Sequence, residues 1–407
     1  MSWKEVSVMS QRAELVSLAL AEGANVSALC VRFGVSRKTA DKWIGRCRAA
    51  AVTSGVAAGL GDQGDVFADR SRRPLEPAGR TVAAMEERVR GGRGAHPAWG
   101  GRKPRRRLSD PGHAGVPAAS TVTEILRRHG LLDSAAGAGV PRDFPRFEHP
   151  QPNDLWRMDF KGHFGLTSAG RCHPLTVLDD HSRYSLGLRA CGNEQGETVR
   201  SELRSIFRVY GLPRRMLMDN GPPWGDTGQQ PRTQFTAGLV RLGIGVSHGR
   251  PYHPQTPGKE ERFHRTLKAE VLRDRRFRDL ADCQRRFDPW RLSDNTERPH
   301  DALALAVPAS RYRPRGRVFA ESLPVVEYAA DVPVRKTQAN GEIDFRGQRV
   351  PVGGAFAREP VGLRATLTDG VWEALYCRQC LGTLDLREVV SGDHRALSLK
   401  RVLREVT

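Results

Sequence analysis

The chain has 407 residues, too many for one ordinary core, and its length predicts three or four domains. A formal net charge of +19 calls for a polyanionic partner, although a basic ribosomal or chromatin-like protein would share it. No apolar run reaches membrane-span length and no secretory leader pattern opens the sequence, so a cytoplasmic protein with no membrane partner is expected; the seven scattered cysteines argue against a disulfide framework.

Residues 1–50 read as three helices. Ala13 to Ala21 is apolar and helical, Val26 to Phe33 follows Gly23, and Ser36 stands where an N-cap would before a third helix. Gly34 between two short helices is a helix-turn-helix signature, and the last helix would carry Arg37, Lys38, Thr39 and Lys42 into a major groove. Similar short shapes also occur in ordinary bundles. Residues 51–78 are Ala- and Gly-rich at first and then basic, and read as a linker. In 79–134, Val82 to Val89 reads as a helix, and Ser120 to Gly130 as another with Ser120 as cap and Gly130 as stop. Pro104 requires that any helix between them either starts at or near it or is distorted. Residues 135–152, rich in Pro and Gly, are a second linker.

From residue 153 the expected order is strand (155–162), strand (173–180), strand (184–191), helix (197–210), strand (215–219), helix (233–242), a short strand and a further helix. Trp156 to Phe160 and Arg215 to Asp219 each set an Asp in or at the end of an apolar strand, where an unpaired carboxylate is costly. Three prolines then hold Pro251 to Pro257 extended ahead of a helix whose Phe263, Leu267 and Val271 share one face. Glu260 and Glu261 open that helix among Lys259, Arg262, His264, Arg265 and Lys268. Acids amid bases suit a metal-assisted phosphodiester site, yet acids favour helix N-termini anyway and charge runs usually face solvent. After Arg317, six short alternating segments separated by turns such as Asn340-Gly341 read as a small β-barrel over 318–407. Cys377 and Cys380 lack two further ligands nearby for zinc.

These motifs, in this order, resemble transposases of bacterial insertion sequences whose catalytic core is the retroviral-integrase, ribonuclease-H-like domain. The residues that carry the resemblance are Trp156 to Phe160, Leu178 to Tyr184, Asp219-Asn220-Gly221, and His253 to Thr256 followed by Gly258, Lys259, Glu261 and Arg262. The resemblance implies a multidomain chain: N-terminal all-α helix-turn-helix domains (1–50 and 79–134), a central α/β ribonuclease-H-like integrase core (153–317) and the C-terminal β-barrel. It implies a Mg2+-dependent (or Mn2+-dependent) enzyme of the DDE type, whose catalytic and metal-holding residues would be Asp159, Asp219 and Glu261, with two ions about 4 Å apart. Water would cut at the element's ends, its terminal inverted repeats, to leave a 3′-OH, which would then attack target DNA. The expected partners are double-stranded DNA, both element ends and target, and further copies of the chain assembled on it at the nucleoid. Strand transfer needs no nucleotide cofactor, and no Gly-x4-Gly-Lys-Ser/Thr loop occurs.

In the family's motif the glutamate directly precedes the Arg, which selects Glu261. At about 100° per residue Glu260 points toward the apolar stripe while Glu261 lies at its edge. Glu260 then reads as a first-turn acid favoured by the helix dipole or, with Asn220 and His253, as a neighbour orienting the site. His253 reads equally as a DNA contact or a satisfied structural histidine. Asp179 and Asp180 read foremost as closing a strand and turn. Lys259, Arg262, Arg265 and Lys268 are the candidate phosphate contacts. Two other readings stand beside the transposase: a DNA-binding repressor or targeting protein with an inactive core, and a ribonuclease-H-like nuclease without strand transfer.

Overall fold

The computed structural model describes residues 7–54, 66–70, 79–110, 112, 115–132, 148–219, 221–225, 233–248, 258–314, 316–388, 399–400 and 404–405. Asn220 and His253 lie outside them, as do most of the two expected linkers. The chain divides into two compact units, Met1–Arg80 and Thr81–Thr407.

The first unit holds α1 (Val8–Ala19), α2 (Val26–Arg32) and α3 (Arg37–Ser54). Each start has a side-chain cap: Ser7 accepts from Ser10 N, Asn25 from Ala28 N and Ser36 from Thr39 N, at 3.1, 3.1 and 3.2 Å. Gly34, at φ 63°, makes the turn between α2 and α3 in a conformation that costs other residues more. Part of the expected linker packs here instead. Phe67 is buried with Trp43, Leu15 and Val16, and Arg12 donates to the Phe67 carbonyl at 2.8 Å.

The second unit opens with α4 (Ala83–Ala95), α5 (Arg102–Ser109) and α6 (Ala119–Arg128). Pro104 falls in the first turn of α5, where its missing N–H costs nothing. Ser120 is not the cap of α6: the helix starts a residue earlier, at Ala119, and Ala118 precedes it without a side-chain cap. Glu86 of α4 is buried and paired with Arg128 at 2.6 Å and His129 at 3.2 Å, which ties α4 to the end of α6.

The core contains β1 (Leu155–Phe160), β2 (Phe164–Gly165), β3 (Arg171–Asp179), β4 (Ser185–Cys191), α7 (Gly196–Tyr210), β5 (Arg215–Met218), α8 (Gln234–Arg241), β6 (Gly245–His248), α9 (Gly258–Leu267), α10 (Leu280–Thr296) and α11 (Pro308–Arg311). The sheet runs β4, β3, β1, β5, β6, with β2 on the start of β3. β1 is antiparallel to β3 and parallel to β5, which is parallel to β6. Strand alternation divides the sheet into two faces. Trp156, Met158, Leu175 and Val177 bury one face against Leu203, Ile206 and Phe207 of α7. On the other face Cys172 and Leu188 meet Leu267 of α9, Val271 and Phe287 of α10. A π-helical turn, Lys268–Leu272, follows α9 and keeps Val271 in that cluster.

The C-terminal part has β7 (Val334–Lys336), β8 (Glu342–Phe345), β9 (Gln348–Pro351), β10 (Pro360–Ala365), β11 (Val371–Tyr376), β12 (Gln379–Asp385) and β13 (Arg404–Glu405). The expected strands are present, but the expected barrel is not formed among the described residues. β13, β12, β11, β10 and β7 make an open antiparallel sheet, and β8 with β9 pair only with each other. The hairpin's Ile343, Phe345 and Val350 cover the apolar face of that sheet, so burial is achieved by layering and needs no closure. Ala237 and Val240 of α8 join the same cluster and dock this part on the core.

Gly101 is where α5 and α6 touch. A methyl there would stand 2.7 Å from the Ala119 carbonyl and 2.9 Å from Thr123 N, both backbone atoms. Gly101→Ala is expected to cost about 1–3 kcal/mol. Hydrogen exchange should accelerate across residues 83–128 and stay unchanged in the core sheet; uniform protection would mean that the helices part freely.

Candidate active site on the sheet face covered by α9

Asp159 and Asp219 are brought together by strand pairing. β1 and β5 are parallel neighbours with Arg157 opposite Leu217, and continuing that register two residues sets Asp159 opposite Asp219 at the C-terminal ends. Neighbouring strands are about 5 Å apart. Asp159 is half-buried, and its carboxyl is pushed up to about 6, first by burial and then by the like charges of Asp219, Glu194 and Glu261, against a hydrogen bond from Phe160 N–H. Glu261, exposed on the first turn of α9, therefore lies within electrostatic range of Asp159. Among the described residues no three His, Cys, Asp or Glu side chains stand close enough together to hold one ion. Asp159, Asp219 and Glu261 come from three different elements, and carboxylate oxygens are the hard donors that Mg2+ and Mn2+ take.

Glu260 turns the other way. It is buried beneath α9, 3.5 Å from the guanidinium of Arg157, and burial pushes its carboxyl up to about 7 against the pull of that cation. Arg157 lies two residues before Asp159 on the same sheet face and also donates from Nε to Asp180 at 2.5 Å. Lys259 Nζ reaches the same Asp180 oxygen at 2.5 Å. Burial alone would raise Asp180, but Arg157 and Lys259 beside it hold its carboxyl down at about 2. Lys259 is lowered to about 8 by burial and by the Arg183 charge. Its place in the basic run suggests a phosphate contact; here its ammonium is spent on Asp180.

His264 is the residue that the sequence alone leaves among the surface bases. It is buried, and burial, with Lys161 nearby, lowers it to about 4, so the ring is neutral. With its proton on Nε2 it donates to the Thr176 hydroxyl at 2.9 Å, which donates in turn to the Asp159 carbonyl at 2.9 Å. His264 thus links α9 through β3 to the backbone of Asp159. Glu194, which sequence reasoning also misses, pairs with His173 at 2.8 Å. Nothing local in the sequence marks these partners, since each lies on a remote segment.

The remaining candidates sit as follows. Arg262, Arg265 and Lys268 are exposed. On α3, Arg37 is tied to Asp41 at 3.3 Å and Ser27 at 3.1 Å, Thr39 bonds the capping Ser36, and Lys42 stands 4.5 Å over the Trp43 ring. Lys38 is exposed with no partner among the described residues.

Residues 149–254 and 242–308 match models of the integrase core domain, 332–391 match the IS481 family transposase C-terminal domain, and 11–55 match a helix-turn-helix domain. In these segments the chain is similar to bacterial insertion-sequence transposases and to integrase cores. It is 30% identical over 158 residues to an uncharacterized 39.2 kDa protein of insertion element IS476 from Xanthomonas euvesicatoria, covering 39% of this chain and 44% of that one. An uncharacterized 31.7 kDa protein of insertion element IS407 from Burkholderia multivorans is 25% identical, over 42% of this chain and 59% of its own. The chain thus spans about half the length of the curated relatives it matches. A solved chain of the simian T-cell lymphotropic virus intasome aligns at 16% identity with a TM-score of 0.33, covering 67% of this chain and 96% of that one.

Removing one partner of a buried charge cluster leaves the others uncompensated. Arg157→Met strips Glu260 of its cation and is expected to destabilise the core by about 3 kcal/mol or more. Urea unfolding with hydrogen exchange at 258–267 measures this. A loss below about 1 kcal/mol, the range of exposed ion pairs, would mean that the cluster does not hold α9.

Proposed function

We propose that the protein is a DNA transposase that binds the terminal inverted repeats of an insertion sequence, cleaves the ends by metal-dependent hydrolysis and joins the resulting 3′-OH to target DNA by transesterification. The observation that carries this reading is the parallel pairing of β1 with β5, which gives Asp159 and Asp219 a common strand end with Glu261 of α9 in electrostatic range. Asp159, Asp219 and Glu261 would hold Mg2+ or Mn2+, as two ions. Divalent ions, when bound, supply positive charge that offsets the charge building on the attacking and leaving oxygens. The Thr176 and His264 bonds hold the backbone of Asp159 from behind. Arg262, Arg265 and Lys268 face solvent on the same helical segment and would grip the phosphates that flank the cut. Strand transfer exchanges one phosphodiester for another, so no nucleotide is consumed. Several copies assembled on DNA would bring two ends together at the nucleoid. Lys38 is the foremost base- or phosphate-facing side chain of the first helix-turn-helix.

Single-turnover cleavage of end duplexes in Mg2+ tests the site. Asp159→Asn, Asp219→Asn and Glu261→Gln should each lose orders of magnitude while binding ends nearly as before. Glu260→Gln should retain more activity than Glu261→Gln, because the Glu260 carboxylate is buried 3.5 Å from Arg157, although Asp159 also lies within electrostatic range of it. Activity in the Glu261 variant with none in the Glu260 variant would reverse the assignment.

Recognition is tested separately. Lys38→Ala should weaken end binding and lower the log–log salt slope by about one for each phosphate that is no longer neutralised. If affinity and slope both stay the same, α3 is a bundle helix and not a reader of DNA.

A further inference from the structure

At the opposite end of the same parallel strands lies a cavity of about 1190 Å³ between the core and the C-terminal sheet. Its walls are the turn before β1, the turn before β5, the end of α8, the segment after α11 and the tip of the β11–β12 hairpin. Five arginines line it, Arg214, Arg241, Arg313, Arg317 and Arg378, against two acids, Asp154 and Glu327. Two of the five are committed to remote parts of the fold, while Arg313 donates to the nearby Tyr312 and Ser310 carbonyls at 2.8 and 3.4 Å. Arg241 pairs with Glu359 at 3.3 Å, and Arg317 donates to the Pro213 and Leu242 carbonyls at 2.9 and 2.8 Å. Arg214, Arg313 and Arg378 are exposed, and among the described residues none of the three has a carboxylate within ion-pair distance. A guanidinium keeps its charge at any working pH and presents a fork that matches phosphate.

We infer that this arginine-lined cleft binds the phosphate backbone of a second DNA segment, distinct from the one at the carboxylates. The separation follows from strand length. Arg214 precedes β5 and Asp219 follows it, and five steps of extended chain span about 17 Å, so one phosphate group cannot serve both ends. An acidic face on a second copy is the weaker occupant, since every copy carries a net charge of +19. The inference rests on the proposed transposase reading in one respect: that reaction uses two DNAs, an end and a target, and so supplies a second segment to be held.

The test uses the full chain with Arg214→Ala/Arg378→Ala, beside Arg214→Lys/Arg378→Lys. Anisotropy of a random-sequence duplex lacking element ends, measured across chloride concentrations, should give a log–log slope lower by about one to two in the Ala variant. The Lys variant should recover it, which separates the missing charge from misfolding. The ratio of strand transfer to end cleavage should fall about tenfold in the Ala variant, the effect of leaving one or two phosphates without a cation. An unchanged slope overturns the inference. So does an unchanged slope with loss of self-association, which would assign the cleft to a second copy. Inorganic phosphate that displaces duplex from the wild type beyond ionic-strength-matched chloride, and not from the Ala variant, would mark a small-anion site and also overturn it. A wild-type chain that never cleaves, with the slope change present, removes the transposase reading and keeps the cleft.

Discussion

The position of α9 depends on one buried cation. Arg157 sits inside the sheet face that carries Asp159, with Asp180, which it shares with Lys259, at 2.5 Å and Glu260 at 3.5 Å, and it supplies the charge that offsets the burial of Glu260. Because side chains alternate along a strand, Arg157 and Asp159 point to the same side, so whatever Arg157 grips is laid over Asp159. What it grips is the first turn of α9. The next residue, Glu261, is rotated by about 100° out of the buried contact and is exposed. Two adjacent glutamates thus meet different surroundings, one buried against Arg157 and the other exposed.

The same cluster is rich in cations. Arg157, Arg183 and Lys259 surround Asp180 and Glu260, which is why Asp180 is held low while Lys259 is itself lowered. A second seam follows a related logic. Lys103 of α5 is lowered to about 8 by burial and by Arg298, while Arg102 reaches Asp301 at 3.3 Å. Basic residues of the second helical domain are thereby partly used up against the acidic end of the core.

Local pattern makes most elements legible in the sequence. The strands around Asp159 and Asp219, the α7 stripe from Val199 to Phe207, and the Ser36 cap depend on neighbours within a few residues, and each lies where periodicity or capping chemistry sets it. What cannot be read is pairing across the chain. That β1 adjoins β5 is a contact between segments about sixty residues apart, and Arg157 meets Glu260 across a longer gap. Lys259 resembles a phosphate contact because its partner, Asp180, is remote. That no barrel closes among the described residues has a similar reason: alternation marks a strand with one buried face, and a layered hairpin buries that face as well as a closed sheet does. His264 has no local mark that separates a buried neutral ring from a surface base.

The π-helical turn at Lys268–Leu272 accounts for the even spacing of Phe263, Leu267 and Val271. In a regular helix, residues spaced by four drift about 40° with each step, so the third would leave the stripe. A turn widened by about one residue runs the drift backward and returns Val271 beneath α10. The surplus residue is absorbed as a bulge instead of as a loop. The acidic start of the helix and its apolar end are therefore decoupled in phase, and a one-residue insertion or deletion between them is accommodated by opening or closing this turn while Glu260 keeps its buried contact with Arg157.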